Sequence, residues 1–172
     1  HRVPDPIDYV EMRRRTFGSE LTMSLCRIRH GNPVPPELYR TRTMRGLDNS
    51  AADYAGLLND VFSYRKEIEF EGELNNGVLV IQRFLEIGPA EAMRVAADLM
   101  AARLQQFERI AADELPILFR DFGLTPEAQT KLRGYVEELR DWMCGILAWH
   151  RSTHRYREAD LRKLPHSPRN LA

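Results

Sequence analysis

The chain has 172 residues, 43% of them apolar, and its 25 basic and 25 acidic side chains cancel, so it is long enough to build a core and is neither disordered nor fibrous. With no basic excess it has nothing to neutralise nucleic-acid phosphates. No uncharged run approaches the roughly 20 apolar residues of a membrane span and no leader-like segment opens the chain, while Cys26 and Cys144 stand far apart among apolar neighbours, so the sequence reads as a cytoplasmic protein with two buried, reduced thiols.

Helical periodicity runs nearly throughout, broken at Gly and Pro clusters, which predicts an all-α fold. Asp5 caps a first helix with Pro6 in its first turn. That helix runs to His30-Gly31, with an interruption at Thr16-Phe17-Gly18. After the Pro33 to Pro36 connection a long helix is expected from about Leu47 to Phe70, with Leu47, Ala51, Tyr54, Leu58, Val61 and Phe62 at helical spacing. Glu71-Gly72 and Asn75-Asn76-Gly77 then end it. A short apolar helix spans Val78 to Ile87, and a long one after Gly88-Pro89 shows Ala96, Met100, Leu104, Phe107 and Ala111 on one face until Pro116 kinks or ends it. The last helix opens at Thr125-Pro126-Glu127 and carries Leu132, Tyr135, Leu139, Trp142, Ile146 and Trp149. Amphipathic helices of this kind pack as a bundle, with function carried by inward polar groups. Because the chain opens on His1 inside a capped helix start, it reads as an excerpt of a longer protein.

The chemistry concentrates in 59–67. Asn59, Ser63 and Glu67 recur every four residues, forming one polar stripe about 12 Å long, and Asp60 falls off it. An amide oxygen, a hydroxyl and a carboxylate are hard donors suited to Mg²⁺, whose shell is completed by water and substrate phosphate oxygens. Ala52, Ala55 and Gly56, one and two turns earlier, are small enough to leave room for a ligand.

Asn59-Asp60-x-x-Ser63-x-x-Lys66-Glu67 resembles the second metal-binding motif of bacterial class I terpene synthases. The resemblance implies the C-terminal half of an isoprenoid synthase helical bundle in which Asn59, Ser63 and Glu67 bind one of three Mg²⁺ ions on a prenyl diphosphate, with Lys66 at the diphosphate. It further implies that Arg155-Tyr156 contacts the diphosphate and that Trp149, six residues before Arg155, lines the cavity with a π face turned to a carbocation. Arg13, 46 residues before Asn59, maps onto a diphosphate-sensing arginine, with Arg14 and Arg15 leaving one position of latitude, and Phe17 lies at the helix break that faces the cavity. Three stretches, 3–18, 57–72 and 141–151, resemble the C-terminal domain of the two-domain germacradienol/geosmin synthases. They imply Mg²⁺-dependent conversion of germacradienol to geosmin and acetone, with a second terpene synthase domain in the parent chain. No side chain presents itself as the proton donor.

The family's aspartate-rich motif is missing, since no Asp-Asp pair occurs. Residues 1–172 are therefore expected to be a partial domain with 165–172 as a flexible tail, an exposed apolar half-bundle face and no activity alone. Two other readings stand beside geosmin formation: a farnesyl diphosphate cyclase domain sharing every motif, and a non-catalytic helical binding module. His150 and His154 have the spacing of a zinc pair but lack the Glu and third ligand that zinc sites use. Phe62, Tyr135 and Trp142 are expected in the core.

Overall fold

A computed structural model describes residues 4–30, 34–157 and 161. Among them every regular element is helical: α1 (Pro6–Thr16), α2 (Ser19–His30), a 3₁₀ turn (Pro36–Arg40), α3 (Arg42–Tyr64) continued by a π-helical stretch (Arg65–Glu71), α4 (Gly77–Leu85), α5 (Pro89–Arg109) with a second π stretch (Ile110–Glu114), α6 (Leu115–Asp121) and α7 (Pro126–Ser152). No helix among the described residues is long and apolar enough to cross a membrane. The expected tail 165–172 lies outside the described residues.

Local chemistry explains most boundaries. Asp5 Oδ1 accepts the Ile7 N–H at 2.8 Å, capping α1 as its sequence requires. The chain then turns at Phe17-Gly18, where Gly18 takes φ 84, a left-handed conformation open to glycine at no steric cost. This separates α1 from α2 at the expected break. α3 begins at Arg42, five residues before Leu47, because Thr41 accepts the Met44 N–H and starts the helix ahead of the apolar pattern. Pro116 falls in the first turn of α6. Having no N–H, it cannot continue an α ladder, and the preceding winding widens until the Leu115 N–H reaches the Ile110 carbonyl five residues back.

α3 is the central helix, touching α1, α2, α4, α5, α6 and α7. Its Met44, Leu47 and Ala51 pack with Phe107, Leu132, Tyr135 and Leu139 in the main core, while Tyr64 joins Val78, Leu79, Ile81, Ala92 and Ala96 in a second cluster. The α7 stripe runs out of this core toward its C-terminal end, so Trp149 is 48% exposed. On α2, Leu21, Leu25 and Ile28 are 69%, 60% and 75% exposed, an uncovered apolar stripe of the kind a partial bundle leaves. The thiols depart from expectation: Cys26 is half-buried and Cys144 exposed.

Candidate functional site

Asn59 is where α3 meets α1, α7 and the segment that follows α7. Its Oδ1 accepts from Arg13 Nη2 at 2.8 Å, and its Nδ2 lies 3.1 Å from His150 Nε2 and donates to the Tyr156 hydroxyl at 3.2 Å. His150 fixes this orientation. Its Nδ1 is 2.8 Å from the Ile146 carbonyl, which can only accept, so Nδ1 carries the proton and Nε2 is left as an acceptor for the Asn59 amide. Burial holds the His150 pKa below the ordinary imidazole value, against the raising effect of the Ile146 hydrogen bond, which keeps this neutral tautomer. His150 stacks on Tyr156 with ring centroids 5.5 Å apart and planes 2° from parallel, and Trp149 meets it edge-on at 4.8 Å. Phe62, expected in the core, is only half-buried and belongs to this aromatic group, 5.2 Å from the His150 ring. Tyr135 and Trp142 do pack in the main core.

The opposite end of the stripe is organised by Asn76. Glu67 sits in the π stretch, where i→i+5 bonding advances each residue through less than the α-helical 100°. Four residues then overshoot a full turn by less, and Glu67 falls closer to line with Ser63. The Asn76 Nδ2 donates to Glu67 Oε2 at 2.9 Å and to the Asp60 carbonyl at 2.9 Å, with Ser63 Oγ at 3.5 Å.

Asp60 lies behind the stripe and is fully buried. Its carboxylate receives Arg13 through Nε at 3.1 Å and Nη2 at 2.8 Å, the Tyr9 hydroxyl at 2.8 Å and the Gly77 N–H at 3.1 Å. Burial is the largest effect on its pKa, which is pushed up to about 6, with Arg13, Tyr9 and Gly77 opposing. A Cβ on Gly77 would stand 2.7 Å from Asp60 Oδ2, so only glycine lets the start of α4 approach this carboxylate.

The residues singled out in the sequence are thus partly assembled. Of the three consecutive arginines, Arg13 reaches Asn59, Arg14 forms a bidentate pair with Asp53 and Arg15 is exposed. Phe17 lies under the Arg13 guanidinium, 5.2 Å from its centre. Gly56 faces the Arg13 stem, whose Cγ would be 3.2 Å from an added Cβ, so the room beside Gly56 is taken by that side chain. Ala52 instead borders an open cleft of about 620 Å³ along the first half of α3. Arg14, Arg15, Arg27 and Asp48 line that cleft, making it polar and set off from Asn59. Lys66 is not brought to the group, because its ammonium binds both Glu71 oxygens at 2.6 Å. Arg155 is exposed beside Tyr156. Sequence reasoning gave no role at this site to Asn76, Tyr9 or Asp60, and weighed His150 only as one of a zinc-spaced pair. Asn76 was legible as a cap, since an Asn followed by Gly opens the apolar helix Gly77–Leu85.

Among the described residues no group of three His, Cys, Asp or Glu side chains can hold a metal ion. A cation here would depend on Asn59 Oδ1, Ser63 Oγ and the Glu67 carboxylate together, a hard, singly charged donor set that suits a divalent ion shared with an anionic ligand. Glu67 already has the hydrogen-bonded outer partner that orients a metal-binding carboxylate.

Residues 1–106 match the family described as "Terpene synthase family 2, C-terminal metal binding". The chain is 29% identical over 160 residues to pristinol synthase of Streptomyces pristinaespiralis, covering 93% of this chain and 42% of that protein. It is 32% identical over 151 residues to pentalenene synthase of Streptomyces avermitilis, covering 86% and 44%. The crystal structure of germacradien-4-ol synthase from Streptomyces citricolor superposes with a TM-score of 0.75 at 27% identity, over 88% of this chain and 48% of that one. The chain therefore spans less than half the length of these relatives.

Proposed function

Because the chain belongs to the terpene synthases, a family of divalent-metal-dependent enzymes whose C-terminal metal-binding region matches residues 1–106, we propose that it supplies the diphosphate-facing half of a sesquiterpene cyclase. The observation that carries this reading is the convergence on one face of Asn59, Ser63 and Glu67 with Arg13 and Tyr156. Asn59, Ser63 and Glu67 would hold a Mg²⁺ ion, one of three in the complete domain. The bound ions would draw charge from the diphosphate and assist its departure.

The chain's own groups do the rest. Arg155 offers a guanidinium fork to the phosphate oxygens, Arg13 the Nη1 protons that Asp60 and Asn59 leave over, and Tyr156 a hydroxyl. Lys66 joins them on exchanging Glu71 for the anion. Phe17 and Trp149 present ring faces to the hydrocarbon, stabilising positive charge without offering a nucleophile. The remaining cavity wall and the aspartate-rich motif would come from the rest of the domain, excluding water from the cation.

The finer assignment, conversion of germacradienol to geosmin and acetone in a two-domain cytoplasmic parent, rests on the resemblance of 3–18, 57–72 and 141–151. A farnesyl diphosphate cyclase is the second reading, favoured by relatives named for pristinol, pentalenene and germacradien-4-ol. Product analysis of the complete parent protein with each substrate separates the two.

The metal assignment is tested on the chain itself by titrating Mn²⁺ in the presence of inorganic diphosphate and following free Mn²⁺ by electron paramagnetic resonance. Glu67→Gln removes the charged donor and is expected to lower affinity at least tenfold, while Ser63→Ala has a milder effect because water replaces a neutral ligand. Binding indifferent to Glu67→Gln, or no binding at all, overturns the assignment.

A further inference from the structure

We propose that Asn76 is a positioning residue for the Glu67 carboxylate, coupling the start of α4 to the face of α3 that binds the metal; this rests on the metal assignment above. Asn76 is fully buried and its side chain spends every hydrogen-bonding group it has. Its Oδ1 accepts from the Val78 N–H at 2.9 Å and the Leu79 N–H at 3.4 Å, capping α4. Those two donors can meet only an oxygen, so the orientation of the amide is fixed. Its two N–H groups then point at the Asp60 carbonyl and Glu67 Oε2, both at 2.9 Å. The 3.5 Å approach to Ser63 Oγ is a contact rather than a third strong bond, since the amide has only two protons.

One side chain therefore caps α4, holds the Asp60 carbonyl and holds Glu67, and the cap is separable from the two donor roles. As a cap it satisfies backbone groups at a helix start, which serine would do nearly as well. As a donor it holds one oxygen of a half-buried carboxylate, which serine is too short to reach. Glu67 lies in the π stretch, closed by Gly72 at φ 70, whose geometry is looser than that of an α-helix. An unassisted carboxylate there would sample several rotamers, and ordering it on ion binding would cost entropy. The Asn76 bond removes that freedom in advance and leaves Oε1 for the ion.

Positions 67 and 76 are linked by the same amide that starts α4, so a shift of α4 reaches Glu67 directly. The backbone contact between Gly77 and Asp60 brings α4 to the same place from the other side.

The test compares the chain with Asn76→Ser, Asn76→Ala and Glu67→Gln, measuring Mn²⁺ affinity with inorganic diphosphate and thermal midpoints without metal. Asn76→Ser keeps the cap but gives up the buried bond to the Asp60 carbonyl, so its midpoint is expected to fall less than that of Asn76→Ala, which loses the cap as well, while it weakens Mn²⁺ about tenfold, the size of effect typical of outer partners of metal ligands. Unchanged Mn²⁺ affinity in Asn76→Ser, with Glu67→Gln still losing binding, overturns the positioning role and leaves the metal site standing. Parent binding that ignores Glu67→Gln overturns the metal site and the proposal with it. As a second measurement, needing no Asn76 variant, the Asn76 side-chain amide resonances of the parent should shift on adding Mg²⁺ with diphosphate and fail to shift in Glu67→Gln; a silent amide in the parent overturns the coupling.

Discussion

Of the three buried aspartates on α3, Asp48 and Asp60 are built alike and do different work. Asp48 pairs with Arg27 from α2 and accepts the Tyr135 hydroxyl of α7 at 2.7 Å. Asp60 pairs with Arg13 from α1 and accepts the Tyr9 hydroxyl at 2.8 Å. Each is an Asp–Arg–Tyr clamp pinning neighbouring helices to the central one, and in each the carboxyl pKa is raised mainly by burial and lowered by its arginine. The difference lies in what the arginine does next. Arg27 turns its guanidinium to the Tyr39 and Tyr135 rings and remains within the scaffold. Arg13 reaches past Asp60 to the Asn59 oxygen, so the second clamp is continuous with the stripe of proposed ligands. A buried ion pair is weak evidence of net stabilisation; here the same device serves packing at one end of a helix and holds a proposed ligand, Asn59, at the other.

The largest expected effect comes from removing each carboxylate. Asp60→Ala strands a mostly buried Arg13, the Tyr9 hydroxyl and the Gly77 N–H together, and breaking a buried pair costs about 3–5 kcal/mol. Asp48→Ala leaves Arg27, whose side chain is 27% exposed against 17% for Arg13, better placed to regain water, so its cost should fall at or below the lower end of that range. Thermal denaturation ranks the two. Mn²⁺ titration in diphosphate distinguishes their roles: among variants still folded, Asp48→Ala retains affinity and Asp60→Ala loses it. Equal loss of affinity in both would make the clamps equivalent and remove the contrast.

How much of this was legible in the sequence follows from the range of each interaction. The break at Phe17-Gly18, the Asp5 and Thr125 caps and the Asn59–Ser63–Glu67 periodicity are local and could be read along the chain. Arg13 was singled out only through a resemblance, as a diphosphate sensor, and its contact with Asn59 was not anticipated, since no local rule links positions 46 apart. His150 was weighed as a zinc ligand and set aside, yet it meets Asn59 across 91 positions, a pairing that periodicity cannot reveal. Phe62 was assigned to the core by its spacing on α3, but its angular position turns it toward the C-terminal end of α7, where the core has already ended. Asn76 was read as the stop of one helix when it starts the next. The Asn76 cap is local and was misread, while the misses at His150 and Phe62 are contacts made by tertiary proximity and the successes are fixed within a turn or two.

A smaller effect sharpens the comparison without removing charge. Tyr9→Phe and Tyr135→Phe each delete one hydroxyl that donates to a buried carboxylate, and hydrogen bonds to charged groups contribute about 1.5–3 kcal/mol. Both variants should lose stability of that order by chemical denaturation. Only Tyr9→Phe should also weaken Mn²⁺ binding, by a few fold, because the freed Asp60 oxygen draws Arg13 away from Asn59. A loss of Mn²⁺ affinity in Tyr135→Phe instead would place the clamp at Asp48 within the site.

The smallest effect is a pH dependence that isolates the Asp48 clamp. Burial raises the Asp48 pKa above its ordinary carboxylate value, with the Glu20 charge adding to the rise and Arg27 and Tyr135 opposing it. In the interval between the unfolded and folded pKa values the folded chain binds more protons at this position than the unfolded chain. Linkage then requires the Asp48 contribution to stability to grow as pH falls from above the folded pKa to below the unfolded one, and to shrink as pH rises through the same interval. Asp48→Asn removes the titration while keeping the shape of the side chain and an acceptor for Tyr135. The stability difference between the parent and Asp48→Asn, measured by urea denaturation from neutral pH down to the ordinary carboxylate range, should therefore shift in favour of the parent as pH falls. A shift in the opposite direction would mean that Arg27 and Tyr135 outweigh burial, and that the clamp at Asp48 stabilises the fold through its charge rather than in spite of it.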